Sequence, residues 1–222
     1  FWGDDWDRRA VVVATATDDE FAALVPEGRA ATGTAAAATV FSSLDLVQRT
    51  ATGQRIILTP AARELAAPTL AVVLRHELTH VAARVHTALD APLWITEGVA
   101  EYVGRRGTHT RIADAAPDLI ASVRAGRVPT GPPADTDFAM DGQTSQVAYQ
   151  SAWSLAAYVA DRFDEARLKK LYMGVAASAL PAAQVLDGLG LPPTPATPPA
   201  ISAATASTST ARTRLAASRT WR

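Results

Sequence analysis

One stretch of the chain repeats apolar residues at the spacing of an α-helix more clearly than any other. Apolar side chains recur there every three or four residues and form a single stripe along Leu70, Val73, Leu74, Leu78, Val81 and Val85. Such a stripe predicts a helix that packs one face against a core. Pro68 stands just before it, where the first turn of a helix accepts proline. A fold for this chain must therefore bury one face of this helix.

The same stretch carries the motif His76-Glu77-Leu78-Thr79-His80, which has the pattern H-E-x-x-H. Side chains four residues apart lie on one face of a helix, so both imidazoles can reach a single metal ion. Glu77 lies on the flank of that face, where a carboxylate can take a proton from a metal-activated water. A structural alternative has the two histidines packed along a buried helix while Glu77 pairs with Arg84.

A second helix is predicted from Pro92 to about Val103, ending at Gly104. Catalytic zinc usually has three protein ligands, and this segment supplies a third. Glu97 and Glu101 are four residues apart, so one carboxylate can bind the metal while the other orients a ligating imidazole. The alternative is an acidic face in solvent. Apolar residues surround both acids and argue against it: Leu93, Trp94, Val99 and Val103.

The composition of the chain limits which residues can bind a metal ion and which classes of partner we expect. The 222-residue chain has no cysteine, which leaves histidine and carboxylate as its strong metal ligands. Its net charge of -1 argues against a surface that binds nucleic acid through net basicity. No apolar run approaches the roughly 18 residues of a membrane span. We therefore expect neither nucleic-acid binding nor a membrane span in this chain, and its oligomeric state stays open.

Strand patterns come first along the chain, and helical patterns follow. Three segments predict strands, the first of them buried and the second weaker: 9–14, 34–42 and 55–59. A short helix is expected between the first two, where acids occupy its first turn at 18–20. Beyond the two helices described above, helical patterns occur at 114–124, 145–162, 165–177 and 182–186. Strands followed by helices predict an α+β fold.

The chain changes character near its end. Residues 192–222 are rich in Pro, Ser, Thr and Ala, with four Arg and no acid, which predicts a disordered basic tail after a folded domain at 1–191. Because the chain begins at Phe1 instead of Met, we expect a processed or trimmed product whose targeting segment lies outside it. The absence of Cys and of an amino-terminal Met is compatible with export. An extracellular or cell-envelope location is expected, with a cytoplasmic one as the alternative.

The motif H-E-x-x-H followed by W-x-x-E-G-x-A-E-Y at 94–102 resembles the gluzincin zinc peptidases. The similarity is to small peptidase-MA-like domains, which are related to the catalytic core of aminopeptidase-N-like enzymes. It extends over 8–189, and its specific motifs fall within 76–102. The resemblance implies a zincin-type helical subdomain beside a small mixed sheet. It also implies Zn²⁺ on His76, His80 and Glu97, with Glu77 as general base and Glu101 as the partner of His76.

By the same resemblance, the strand at 55–59 would be the edge strand of the sheet. Its residues would then pair with an extended substrate through Arg55, Ile56, Ile57 and Leu58. The chain also departs from the large aminopeptidases. Sixteen residues separate His80 from Glu97, fewer than is usual there, and no G-x-M-E-N segment grips a free amine. Aminopeptidase specificity is therefore not carried over.

A hydrogen-bond donor to the oxyanion is harder to place from the sequence. Related enzymes have a catalytic tyrosine well downstream, where Tyr149 begins a predicted helix, although helix packing is the alternative role for this side chain. Tyr102 and His109 are weaker candidates. Arg105 and Arg106 are predicted to be an exposed pair that favours the end of a helix.

These observations predict a zinc-dependent peptidase. It would hydrolyse a peptide or protein substrate with a metal-activated water and Glu77 as the base. Two alternatives stay open: a catalytically inactive zincin-fold module that binds protein, and a zinc hydrolase of a non-peptide amide. The substrate sequence, and the choice between endopeptidase and exopeptidase, do not follow from the residues.

Overall fold

A computed structural model describes residues 1–4, 6–25, 36–108, 112–139, 142–178 and 180–190 of the chain. The fold is α+β, as predicted, with a small mixed sheet followed by a mostly helical part. The tail predicted at 192–222 lies outside the described residues. So do His109 and the first two positions of the strand predicted at 34–42.

The strands, in chain order, are β1 (Val11–Ala14), β2 (Ala37–Val40), β3 (Ser43–Asp45), β4 (Thr50–Thr52) and β5 (Arg55–Leu58). Three of them form a mixed sheet in the order β1-β5-β2, in which β1 runs parallel and β2 antiparallel to the central strand β5. The pairing of β2 with β5 places Thr39 opposite Ile56. The short strands β3 and β4 form a separate hairpin that the sequence did not predict.

The position of β5 corrects the prediction that Arg55–Leu58 is the edge strand. Both of its edges are occupied by neighbouring strands, so its backbone has no free edge for a substrate. Ile56 and Ile57 are fully buried, because both faces of the strand are covered. The prediction of a buried first strand is also wrong. β1 is an edge strand in which Val11 and Val12 are 58% and 48% exposed.

The helices are α1 (Asp18–Leu24), α2 (Ala67–Ala83), α3 (Leu93–Gly104), α4 (Ile112–Ala115), α5 (Pro117–Arg124), α6 (Asp135–Phe138), α7 (Gln143–Arg162), α8 (Glu165–Tyr172) and α9 (Ala182–Gly188). Shorter 3₁₀ turns occupy Pro60–Glu64 and Arg84–His86, and a π-helical turn follows α8 at Met173–Ala177. The helix predicted at 114–124 is divided in two, because Pro117 disfavours helical geometry at the residue before it. Within the described ranges, no helix is both long and apolar enough to cross a membrane.

Helix α2 lies between the sheet and the rest of the helical part. Its Val81 packs with Ile56 and Ala37 on one face of the sheet. The main core forms on the other side, where α3 contributes Ile95 and Val99. Burial of these apolar faces fixes α2 against both the sheet and α3.

Two glycines let α3 approach its neighbours closely. A Cβ atom added at Gly98 would lie 2.6 Å from the backbone oxygen of Ala152 in α7. One added at Gly104 would lie 3.0 Å from the backbone oxygen of Val72 in α2. Because no side chain separates the backbones at these points, polar residues from α2, α3 and α7 can meet in one place.

Candidate metal centre

Helices α2 and α3 bring three ligand atoms to one place. His76 Nε2 lies 3.1 Å from His80 Nε2 and 3.2 Å from Glu97 Oε2, and His80 Nε2 lies 3.5 Å from Glu97 Oε2. Two ligands of a tetrahedral ion with bonds of about 2.0–2.1 Å are about 3.3 Å apart. The triangle of His76, His80 and Glu97 therefore has the dimensions of a site that could hold a metal ion.

The three side chains are largely shielded from water. Those of His76 and His80 are 13% exposed and that of Glu97 is 15% exposed. The acidic face in solvent, which was the alternative for Glu97 and Glu101, is therefore not what the fold contains. Removal of water strengthens the electrostatic interactions of any ion bound there.

Glu101 fixes the orientation of one imidazole. Its Oε1 atom lies 3.3 Å from His76 Nδ1, on the opposite side of the ring from the ligand triangle. A hydrogen bond at Nδ1 leaves Nε2 directed at the triangle, which is the arrangement that supports a metal-bound histidine. The predicted pairing of Glu101 with His76 is thus present in the geometry.

Arg105 contacts Glu101, which in turn contacts His76. Its Nε atom pairs with Glu101 Oε2, and its Nη1 atom donates a hydrogen bond of 2.8 Å to the backbone oxygen of Ala115. The prediction of an exposed Arg105 is wrong, because only 24% of its side chain is exposed. It contacts the carboxylate oxygen of Glu101 that does not face His76. The four-residue spacing between Glu101 and Arg105 on one helix was a signal that could have found it.

The charges of the centre favour a cation. Burial by itself would lower the pKa of His76, but hydrogen bonds to Glu101 and Glu97 outweigh burial and raise it well above the ordinary value. Burial would raise the pKa of Glu97, and the two histidines lower it instead. The pKa of Glu101 is likewise lowered against burial by His76 and Arg105. The two carboxylates thus stabilise positive charge at the place where a metal ion would bind.

Glu77 is buried, with 7% of its surface exposed. Its carboxylate forms a hydrogen bond with a residue of the sheet. The hydroxyl of Thr39 in β2 donates a hydrogen bond of 2.6 Å to Glu77 Oε2. The printed geometry pairs this carboxylate with Thr39, whereas the structural alternative predicted a pair with Arg84. Sequence reasoning missed Thr39, because no local spacing links a strand residue to a helical residue 38 positions further along the chain.

Tyr149 lies on α7 close to the carboxylates of the centre. Its ring packs edge-on against Phe138, with 5.0 Å between the ring centres. Burial, followed by the charges of Glu97, Glu101 and Glu77, strongly raises its pKa. No described residue forms a hydrogen bond with its hydroxyl, which keeps a proton that it can donate.

Among the described residues, the other predicted site residues have different partners. The Tyr102 hydroxyl donates a hydrogen bond of 2.8 Å to Glu165, and Arg106 pairs with the same carboxylate oxygen at 3.0 Å. This group ties α3 to α8. Residues 55–58 form the central strand, where Ile56 packs beneath α2 and does not reach the ligand triangle.

Comparisons of the chain with models of protein families, with characterised proteins and with solved structures gave no match. The fold and the site by themselves define an α+β protein with a candidate metal centre between two helices. A buried carboxylate, Glu77, and a tyrosine, Tyr149, flank that centre.

Proposed function

We propose that the chain is a zinc-dependent peptidase of the gluzincin type, with zinc held by His76, His80 and Glu97. The observation that carries this proposal is the ligand triangle with edges of 3.1–3.5 Å. Two histidines and one glutamate are a ligand set of catalytic zinc sites, in which the fourth position stays open to water or substrate. The absence of cysteine from the chain favours this set over a structural thiolate site.

In the proposed reaction, a bound ion and the residues around it would have different roles. Zinc, when bound, would polarise the scissile carbonyl and lower the pKa of the attacking water. Glu77 then accepts a proton from that water as the nucleophile attacks the carbonyl carbon. The same carboxyl group passes the proton to the amine as the peptide bond breaks. Glu101 and Arg105 keep the His76 ring in place throughout.

Tyr149 supplies the second hydrogen bond to the reacting carbonyl. The attack converts the carbonyl oxygen into an oxyanion, which a nearby donor stabilises more strongly than the neutral ground state. Tyr149 is suited to this role, because its hydroxyl has no described partner and its raised pKa keeps it protonated. It thereby favours the transition state.

The strand that would align a substrate is β2 instead of β5. Thr59 N–H donates to the backbone oxygen of Ala36 at 3.0 Å, so these residues form a hydrogen-bonded pair of the antiparallel ladder. Such pairs alternate, which directs the N–H and C=O groups of Ala37 and Thr39 away from β5. An extended peptide can form main-chain hydrogen bonds with this outer edge.

A Glu77→Gln variant tests the proposed chemistry. Glutamine keeps the shape of the side chain but cannot take up the proton, so the variant should bind zinc like the unmodified chain and lose hydrolysis of a peptide library. Glu64→Gln is the matched control, because Glu64 is exposed at the end of a 3₁₀ turn. Turnover by Glu77→Gln equal to that of the control would rule out Glu77 as the base.

A further inference from the structure

The hydrogen bond between Thr39 and Glu77 joins the sheet to the candidate general base. Thr39 Oγ1 lies 2.6 Å from Glu77 Oε2 and 3.2 Å from the main-chain oxygen of Glu77. A hydroxyl has one proton, and the shorter contact, to the carboxylate oxygen, is the stronger of the two interactions. Among the described residues, no other group forms a hydrogen bond with this carboxylate. Thr39 therefore determines how the Glu77 side chain is held.

The side chain and the main-chain groups of Thr39 point in different directions, because Thr39 lies in a β-strand. The side chain lies on the face of β2 that packs toward α2, since Thr39 stands opposite Ile56 and Ile56 packs with Val81 of α2. Its N–H and C=O groups point along the sheet toward the outer edge of β2. One residue thus contacts Glu77 through its hydroxyl while its main chain lies along the edge that we assign to the substrate.

We propose that Thr39 is a positioning residue for Glu77 in the hydrolytic reaction, an inference that rests on the proposed function. Its hydroxyl holds Oε2 and leaves Oε1 as the oxygen that exchanges the proton. The bond persists when Oε1 is protonated, because Oε2 is then a carbonyl oxygen and still accepts a hydrogen bond. The carboxyl group is therefore held in one orientation while it takes up the proton and delivers it.

Replacement of the hydroxyl by a methyl group tests this role. Thr39→Val keeps the branched shape and the main chain, so we expect kcat to fall by about 10- to 100-fold, as for a catalytic group displaced by about 1 Å. KM should stay within about twofold, because the main-chain groups that face the substrate are unchanged. Thr39→Ser restores the hydroxyl and should recover most of kcat. Equal kcat in Thr39→Val and the unmodified chain would overturn the positioning role.

A stability measurement on the metal-free protein tests the contact between Thr39 and Glu77 independently of the proposed function. In the metal-free protein, loss of a hydrogen bond to a charged group should raise the unfolding equilibrium constant of Thr39→Val by about tenfold or more. The same substitution should have a clearly smaller effect in a Glu77→Ala background, because the carboxylate is already missing and only the longer contact to the main-chain oxygen, at 3.2 Å, can remain. Denaturant titration of the four proteins measures this coupling. Equal effects of Thr39→Val in both backgrounds would overturn the inference, whatever the activity.

A matched threonine directly after strand β1 provides the control. The Thr15 hydroxyl donates to the backbone oxygen of Leu58 at 2.8 Å and does not contact Glu77. Thr15→Val should leave kcat unchanged and show no coupling to Glu77→Ala. If the unmodified, zinc-loaded chain hydrolyses no peptide, the proposed function fails, and the coupling by itself decides whether Thr39 holds the carboxylate.

Discussion

The surroundings of Tyr149 keep its hydroxyl protonated. Its pKa is raised first by burial and then by the charges of Glu97, Glu101 and Glu77. A phenol that cannot readily ionise acts as a hydrogen-bond donor and not as a base. The negative charges nearby also mean that an oxyanion at this place needs both the donor and a cation to be stable. Under the proposed function, Tyr149 would therefore stabilise an oxyanion only together with a bound metal ion.

We predict that Tyr149→Phe lowers kcat by about 10²- to 10³-fold, the usual loss when one oxyanion donor is removed. Zinc affinity should stay the same, because Tyr149 is not one of the three ligands. Tyr158→Phe is the control on the same helix, since Tyr158 packs against Phe163, away from the ligand triangle. Steady-state kinetics with one peptide substrate would measure both variants. Equal kcat values for the two would assign Tyr149 a packing role.

Local spacing predicted the residues of the centre that lie on single helices. The four-residue separations within His76–His80 and Glu97–Glu101 survive into the structure, because helix geometry alone brings each pair together. Thr39 was missed, since its contact depends on how the sheet packs against α2. Arg105 was assigned to solvent from its charge, although the close approach of α3 to its neighbours buries part of its side chain.

The crossing of α3 and α7 at Gly98 determines where Glu97 and Tyr149 lie relative to each other. A Cβ atom at Gly98 would meet a backbone atom of Ala152, which cannot move aside as a flexible side chain can. We predict that Gly98→Ala destabilises the fold by about 1–3 kcal/mol, the usual cost of overpacking. Because the helices must separate, zinc affinity should fall as well. Denaturant unfolding and zinc titration would measure the two effects.

Gly188 is the matched control for this substitution. It lies in helix α9, and a Cβ atom there would have no heavy atom within 4 Å. Gly188→Ala should therefore be neutral or slightly stabilising, because alanine favours the helix more than glycine does. Equal stability of Gly98→Ala and Gly188→Ala would show that the tight crossing is not a feature of the protein in solution.

The two strands that the sequence misplaced show why strand order is hard to predict. Both β1 and β5 contain runs of β-branched residues, and such runs are consistent with strands buried on both faces. Which run occupies the centre depends on what covers its faces. Ile56 meets α2, and Ile57 meets a cluster with Phe21 and Val25, whereas the faces of β1 are only partly covered.

The hairpin of β3 and β4 was missed for a different reason. Each strand has three residues, two of them exposed, so neither has an apolar pattern long enough to detect. The longer helices were predicted to within a few residues, since their apolar faces extend over several turns. Prediction therefore succeeded where local periodicity was sufficient and failed where neighbours decide the structure.

The protein as a whole should lose stability in alkaline solution through its tyrosines. Burial, together with a hydrogen bond to Glu165, raises the pKa of Tyr102 from 10.0 to about 12. Burial also raises the pKa of Tyr172 to about 12, although its bond to Thr87 opposes the shift. The folded state therefore keeps these protons at a pH where the unfolded chain releases them. Their contribution to stability is fully present below pH 10 and is lost as the pH rises through about 12.

We predict that the free energy of unfolding falls between pH 10 and about 12, and that the fall is smaller in Tyr102→Phe. With only 2 Lys in the chain, few other groups titrate in this range. Denaturant titrations over that pH range would measure the slope, and a parallel ultraviolet titration of tyrosinate would report ionisation. Curves that stay parallel for the two proteins above pH 10 would contradict this assignment.

The proposed function requires that three side chains from α2 and α3 form one zinc site. Metal analysis of the purified chain, beside His80→Ala and His86→Ala, tests it most directly. His86 lies outside the ligand triangle and stacks on Trp2, so its replacement controls for the loss of a histidine. We expect about one zinc per chain in the unmodified protein and in His86→Ala, and little or none in His80→Ala. An unmodified protein that binds no zinc, or a His80→Ala variant that binds it equally well, would show that these three side chains do not form a zinc site.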